Sequence, residues 1–76
     1  MGGKLVFRYP IIIEKSKNNY SAYSPDLPGC VATGATIKET LSRMRSAMKF
    51  HLEGLRKEGS EILRPSTKVK YVEISI

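Results

Sequence analysis

The sequence predicts an α+β domain of order β-β-β-α-β, with one helix packed on one face of a small, mainly antiparallel sheet. Three observations carry this: a run of β-branched and aromatic residues before Gly34, a single apolar stripe at helical spacing from Ile37 to Leu55, and a strand-like stretch from Val69 to Ile76. The chain has 76 residues, a length that carries one core, so residues 1–76 form one domain.

Lys4 to Glu14 holds Leu5, Val6, Phe7, Tyr9, Ile11, Ile12 and Ile13 and reads as the first strand. Leu5, Phe7 and Tyr9 would share one face, with Val6 and Arg8 on the other. Pro10 offers no ladder donor, so the strand either begins at Tyr9 or bends there. Lys15-Ser16-Lys17-Asn18-Asn19 is turn-prone, and Tyr20 to Ser24 alternates as the second arm of a hairpin. Pro25-Asp26-Leu27-Pro28-Gly29-Cys30 follows as a stiff loop, because two prolines fix φ twice and Gly29 opens a conformation barred to other residues. Cys30 to Thr33 is a short third strand, ended by Gly34.

Thr36-Ile37-Lys38-Glu39 has the form of a capping box, the Thr36 hydroxyl accepting from the Glu39 amide and the Glu39 carboxylate reaching back. Ile37, Leu41, Met44, Met48, Leu52 and Leu55 then mark one side of a helix about 33 Å long, with Gly59 as its left-handed stop. Ser60 to Lys68 is a linker, and Val69 to Ile76 the last strand. One helix covers one face of such a sheet. Ile11 to Ile13 place apolar side chains on both, so the second face is expected to meet another copy.

Composition narrows the class. Hydrophobic residues at 41% and charged residues at 26% exclude a disordered or fibrous chain. No apolar run approaches the roughly 18 residues of a membrane span, and the first residues carry no secretory signal. The single Cys forms no internal disulfide, and no Cys and His cluster suggests a metal. The expectation is a cytoplasmic protein without cofactor, metal or membrane partner. A domain this small is marginal alone, which favours a homodimer or larger homo-oligomer. A net charge of +6 draws anionic partners, nucleic acid first, or serves only solubility.

No catalytic set assembles. His51 flanks the apolar stripe as a packed residue, Cys30 reads as a small buried hydrophobe, and the acids are scattered. Lys38, Arg45, Lys49 and Arg56 fall within about 20° of one line on the helix surface. That row is either a phosphate-binding stripe or a solvated face on which Glu53 pairs with Lys49. Thr40, Ala47, Phe50 and Gly54 sit roughly opposite the apolar stripe, as a second interface or as scattered exposed residues.

Tyr9-Pro10-Ile11-Ile12-Ile13-Glu14, then Pro25-Asp26-Leu27-Pro28-Gly29-Cys30-Val31-Ala32-Thr33-Gly34, then Thr36-Ile37-Lys38-Glu39-Thr40-Leu41 resemble the HicB antitoxin family. Ala47 to Leu55 and Ser60 to Ser66 resemble the helix end and linker of that family. The resemblance runs from about Tyr9 to Ile76, and the PDLPGC motif followed by Gly34 and Thr36 is its most specific part. It implies a truncated RNase H-like core without nuclease activity, associating as dimers or larger assemblies. It also implies a protein partner, a HicA toxin, which is an mRNA endoribonuclease whose active site the antitoxin covers.

In that setting Pro25, Asp26, Leu27, Pro28 and Gly29 are the expected partner-binding residues, with Asp26 pairing a basic group of the toxin. The alternative role of the loop is structural, fixing the turn between the second and third strands. Family antitoxins usually carry a DNA-binding unit after the core. The 17 residues after Gly59 leave no room for one, so operator binding is not expected. A toxin that binds RNA is expected to be basic, as this chain is, so the contact patch should be locally acidic or apolar.

Overall fold

Residues 6–76 are described by a computed structural model. Ile12–Lys15 forms β1, Tyr20–Tyr23 forms β2, Val31–Gly34 forms β3 and Ile37–Lys57 forms α1. The strands make an antiparallel sheet of order β1-β2-β3, with α1 across one face.

The first strand starts later than the sequence suggests. The expected beginning at Lys4 and Leu5 lies outside the described residues, and residues 6–11 belong to no strand. Pro10 is the reason. Lacking an N–H, it cannot continue the ladder, and its carbonyl is taken instead by the Ser24 hydroxyl at 3.1 Å. The hairpin closes through the Ser16 amide, which donates to the Asn19 carbonyl at 2.8 Å.

Register fixes the two faces of the sheet. Ile13, Ala22 and Ala32 lie side by side, with Ala22 buried beneath the helix. One residue along, Ile12, Tyr23 and Val31 form the next row and so point to the opposite face. The core is small: Ala22, Leu27, Cys30 and Met44, with Ile11, Ile13, Ala32, Met48 and Leu52 packed against it.

At its N-terminus α1 is capped by Thr36, whose Oγ1 accepts from the Glu39 amide at 3.0 Å. The reciprocal half of the expected box is absent, because the Glu39 carboxylate pairs with Arg43 one turn on. At the other end the Gly59 amide donates to the Arg56 carbonyl and the Ser60 amide to the Leu55 carbonyl, a Schellman closure with Gly59 at φ +73°.

The helix is turned away from the orientation its periodicity predicts. Met44 is buried as expected, but Leu41 stays 42% exposed and Thr40 is fully buried. Thr40 faces Gly34, where the missing side chain lets helix and strand approach. The Thr40 hydroxyl is satisfied by donating to the Thr36 carbonyl at 2.7 Å. This corrects the expected second face: Thr40 is in the core, Ala47 and Gly54 are half-buried, and only Phe50 stands out, at 81% exposure.

The final strand does not form. Residues 69–76 belong to no strand, and every residue from 66 to 76 is exposed. The described fold is therefore β-β-β-α. The physical reason is the lack of a neighbour, since a strand exists only through its ladder.

Candidate interaction surfaces

The PDLPGC loop is two successive turns that share one residue. The Leu27 amide donates to the Ser24 carbonyl, and the Cys30 amide donates to the Leu27 carbonyl, each at 3.2 Å. Proline occupies the second position of both, and Gly29 takes φ +89° at the third position of the latter. Leu27-Pro28-Gly29-Cys30 is thus a type II turn, which requires such a residue there. The shared Leu27 is sent inward and is fully buried.

Asp26 is likewise engaged inside the molecule. Its Oδ1 accepts from the Ser66 amide at 3.2 Å and hydroxyl at 3.0 Å, and from the Thr67 amide at 3.2 Å and hydroxyl at 3.0 Å. Burial pulls this carboxyl up, but the donors of Ser66 and Thr67 outweigh it and hold Asp26 below the ordinary carboxylate range. Of the five loop residues expected at a partner surface, Leu27 and Asp26 therefore work behind it. Pro25, Pro28 and Gly29 are exposed.

Asp26 is one of three ties on the linker. The Tyr9 hydroxyl donates to the Leu63 carbonyl, and the Arg64 guanidinium lies over the Phe7 ring at 5.6 Å. Burial raises the Tyr9 phenol, the Asp26 charge adds to this, and Arg64 opposes both. Sequence reasoning missed this clip, since residues 40 positions apart with no shared pattern leave no local signal.

Two open surfaces result. On the uncovered sheet face the row Ile12, Tyr23 and Val31 leaves Tyr23 42% and Val31 67% exposed. Tyr23 and Val31 directly flank the loop, so this row and the exposed prolines lie at one end of the sheet. The other surface is a groove of about 990 Å³ between residues 6–11 and the helix, with Phe7, Ile11, Leu41, Met48 and Leu52 in its walls.

Of the cationic row, Arg45, Lys49 and Arg56 edge this groove, while Lys38 stands apart from it; all four are exposed. The expected Lys49–Glu53 pair does not form; among the described residues the ion pair on the helix is Glu39–Arg43. Cys30 is buried, and desolvation raises its thiol above the ordinary value. His51 is half-buried on the helix. Among the described residues no three His, Cys, Asp or Glu side chains gather as a metal site. No helix there is long and apolar enough to cross a membrane.

Residues 9–74 match the family described as HicB_like antitoxin of bacterial toxin-antitoxin system. An uncharacterized 14.9 kDa protein of the rep-hol intergenic region of Haemophilus phage HP1 is 34% identical over 64 residues, covering 84% of this chain and 48% of that protein. The chain thus spans about half the length of this relative. A UPF0150 protein of Thermoplasma acidophilum is 34% identical over 62 residues, covering 80% of this chain and 90% of its own. A UPF0150 protein of Helicobacter pylori is 33% identical over 58 residues, covering 76% and 81%. In three dimensions the chain is similar to one from a solved HicA3 and HicB3 toxin-antitoxin complex. The TM-score is 0.65 at 32% identity, over 79% of this chain and 70% of that one.

Proposed function

This chain belongs to the HicB-like antitoxin family of bacterial toxin-antitoxin systems, and from that premise we propose that it neutralises a HicA-type mRNA endoribonuclease by covering its active site. The protein acts by occlusion and catalyses nothing itself. Its place of action is the cytoplasm, where mRNA is cut.

The observation that carries this reading is the apolar row Ile12, Tyr23 and Val31 beside the proline-braced loop. Two basic proteins repel at long range, so their contact must rest on a locally apolar or acidic patch. This row supplies an apolar one. Pro25, Pro28 and Gly29 form its rigid rim, and little entropy is lost on docking a surface that is already fixed.

The test is titration of the purified chain against the HicA-type toxin encoded beside it, with growth rescue as the second readout. Tyr23→Glu and Val31→Glu should each weaken binding by about 30-fold or more, the loss expected at the centre of an interface. Unchanged affinity in both variants overturns the reading. Should the chain instead bind RNA or DNA with an affinity that falls steeply with salt and vanishes in Lys49→Glu/Arg56→Glu, the cationic helix row is the working surface.

A further inference from the structure

The groove and residues 69–76 are complementary defects. The helix carries a wider apolar stripe than the three strands cover. Met44 is buried over the sheet, while Leu41, Met48 and Leu52 form a wall open to solvent. The facing wall is residues 6–11, which belong to no ladder, next to β1, whose outer edge pairs with no strand among the described residues. A sheet of this kind is missing one strand, and the groove lies where that strand would go.

The chain also carries a stretch suited to fill it. Val69, Tyr71, Val72, Ile74 and Ile76 are exposed, Tyr71 at 92%. None of the described residues hydrogen-bonds to any of 68–76. Such a stretch spans up to about 30 Å when extended. The radius of gyration, 14.8 Å, exceeds the roughly 11 Å of a compact chain this long, so part of the chain stands off the body.

The stretch is held away from its own groove. The linker is tied at Tyr9–Leu63 and again at Asp26–Ser66 and Asp26–Thr67, on the loop between β2 and β3. Residue 68 therefore leaves the body beyond the far side of the Tyr9 segment. To enter its own groove the chain would have to break the four bonds on Asp26 and double back. A second copy meets no such barrier.

We propose that residues 69–76 of one copy pair along residues 6–11 of a second, beneath its α1, and reciprocally, so that two chains exchange the strand each lacks. A two-fold axis makes both exchanges equivalent and closes the assembly. Strand addition satisfies the unpaired backbone while the apolar side chains enter the groove. The pairing stands independently of the toxin reading, because it uses the helix side of the sheet and leaves the row Ile12, Tyr23 and Val31 open.

The test uses the whole chain. Light scattering should give twice the 8.5 kDa of one copy. Mixing ¹³C-labelled with unlabelled protein should give nuclear Overhauser contacts between chains, from Val72 or Ile74 to Met48 or Leu52. Val72→Asp, at an exposed position that leaves the fold intact, should raise the dimer dissociation constant at least tenfold with helical circular dichroism unchanged. Met48→Glu should do the same from the groove side. An 8.5 kDa monomer, contacts confined to one chain, or a dimer indifferent to Val72→Asp each overturns the proposal.

Discussion

Gly34 and Thr40 meet so closely that no Cβ fits between them: a methyl group on Gly34 would stand 2.7 Å from the Thr40 Oγ1 and 2.9 Å from the Thr40 backbone nitrogen. This contact sets how near α1 lies to β3 and which way the helix is turned. Gly34→Ala should therefore destabilise the domain by about 1–3 kcal/mol, the usual cost of overpacking. A lower urea midpoint at unchanged slope checks it. Thr40→Ala in the same chain should restore only part of the loss, because the backbone clash remains.

The loop between β2 and β3 is part of the core as well as a surface. Leu27→Ala should cost about 2–5 kcal/mol, since the side chain is fully buried. In a domain this small that is a large share of the total stability. Thermal unfolding followed at a helical wavelength measures it, and full stability in the variant would refute the packing described.

Asp26→Asn should free the linker without melting the helix. Amide exchange at Ser66 and Thr67 should accelerate while residues 40–55 keep their protection. The sign with pH follows from the depressed carboxyl. The bonds on Asp26 are in full force above about pH 4, near the unfolded value, and are lost as pH falls through the lower folded value. The linker should therefore loosen only in acid.

Cys30 should react slowly with iodoacetamide at pH 8 in the folded protein and fully in denaturant. It is buried and its thiol is raised by desolvation, which lowers the thiolate population that reacts. Equal rates in both conditions would show the site to be open.

Local chemistry made much of the fold legible. The Thr36 cap, the Gly59 stop, the turn at Gly29 and the hairpin from β1 to β2 each depend on residues within a few positions, and each formed where expected. The errors fall where distant parts meet. Thr40 looked like a surface residue because the wheel averages over the whole helix, whereas Gly34 alone decides which side approaches the sheet. Asp26 looked like a free carboxylate because Ser66 and Thr67 are far away in sequence.

The residues alone determined the element types, the place of the turns and the family, since periodicity, capping and turn chemistry act over a few positions. Tertiary structure decided the rotation of α1, the inward course of Leu27, the capture of the linker by Asp26, and that 69–76 finds no ladder within its own chain. Side-chain pattern marks a segment as able to pair, but pairing needs an edge within reach, and reach is a property of the folded chain.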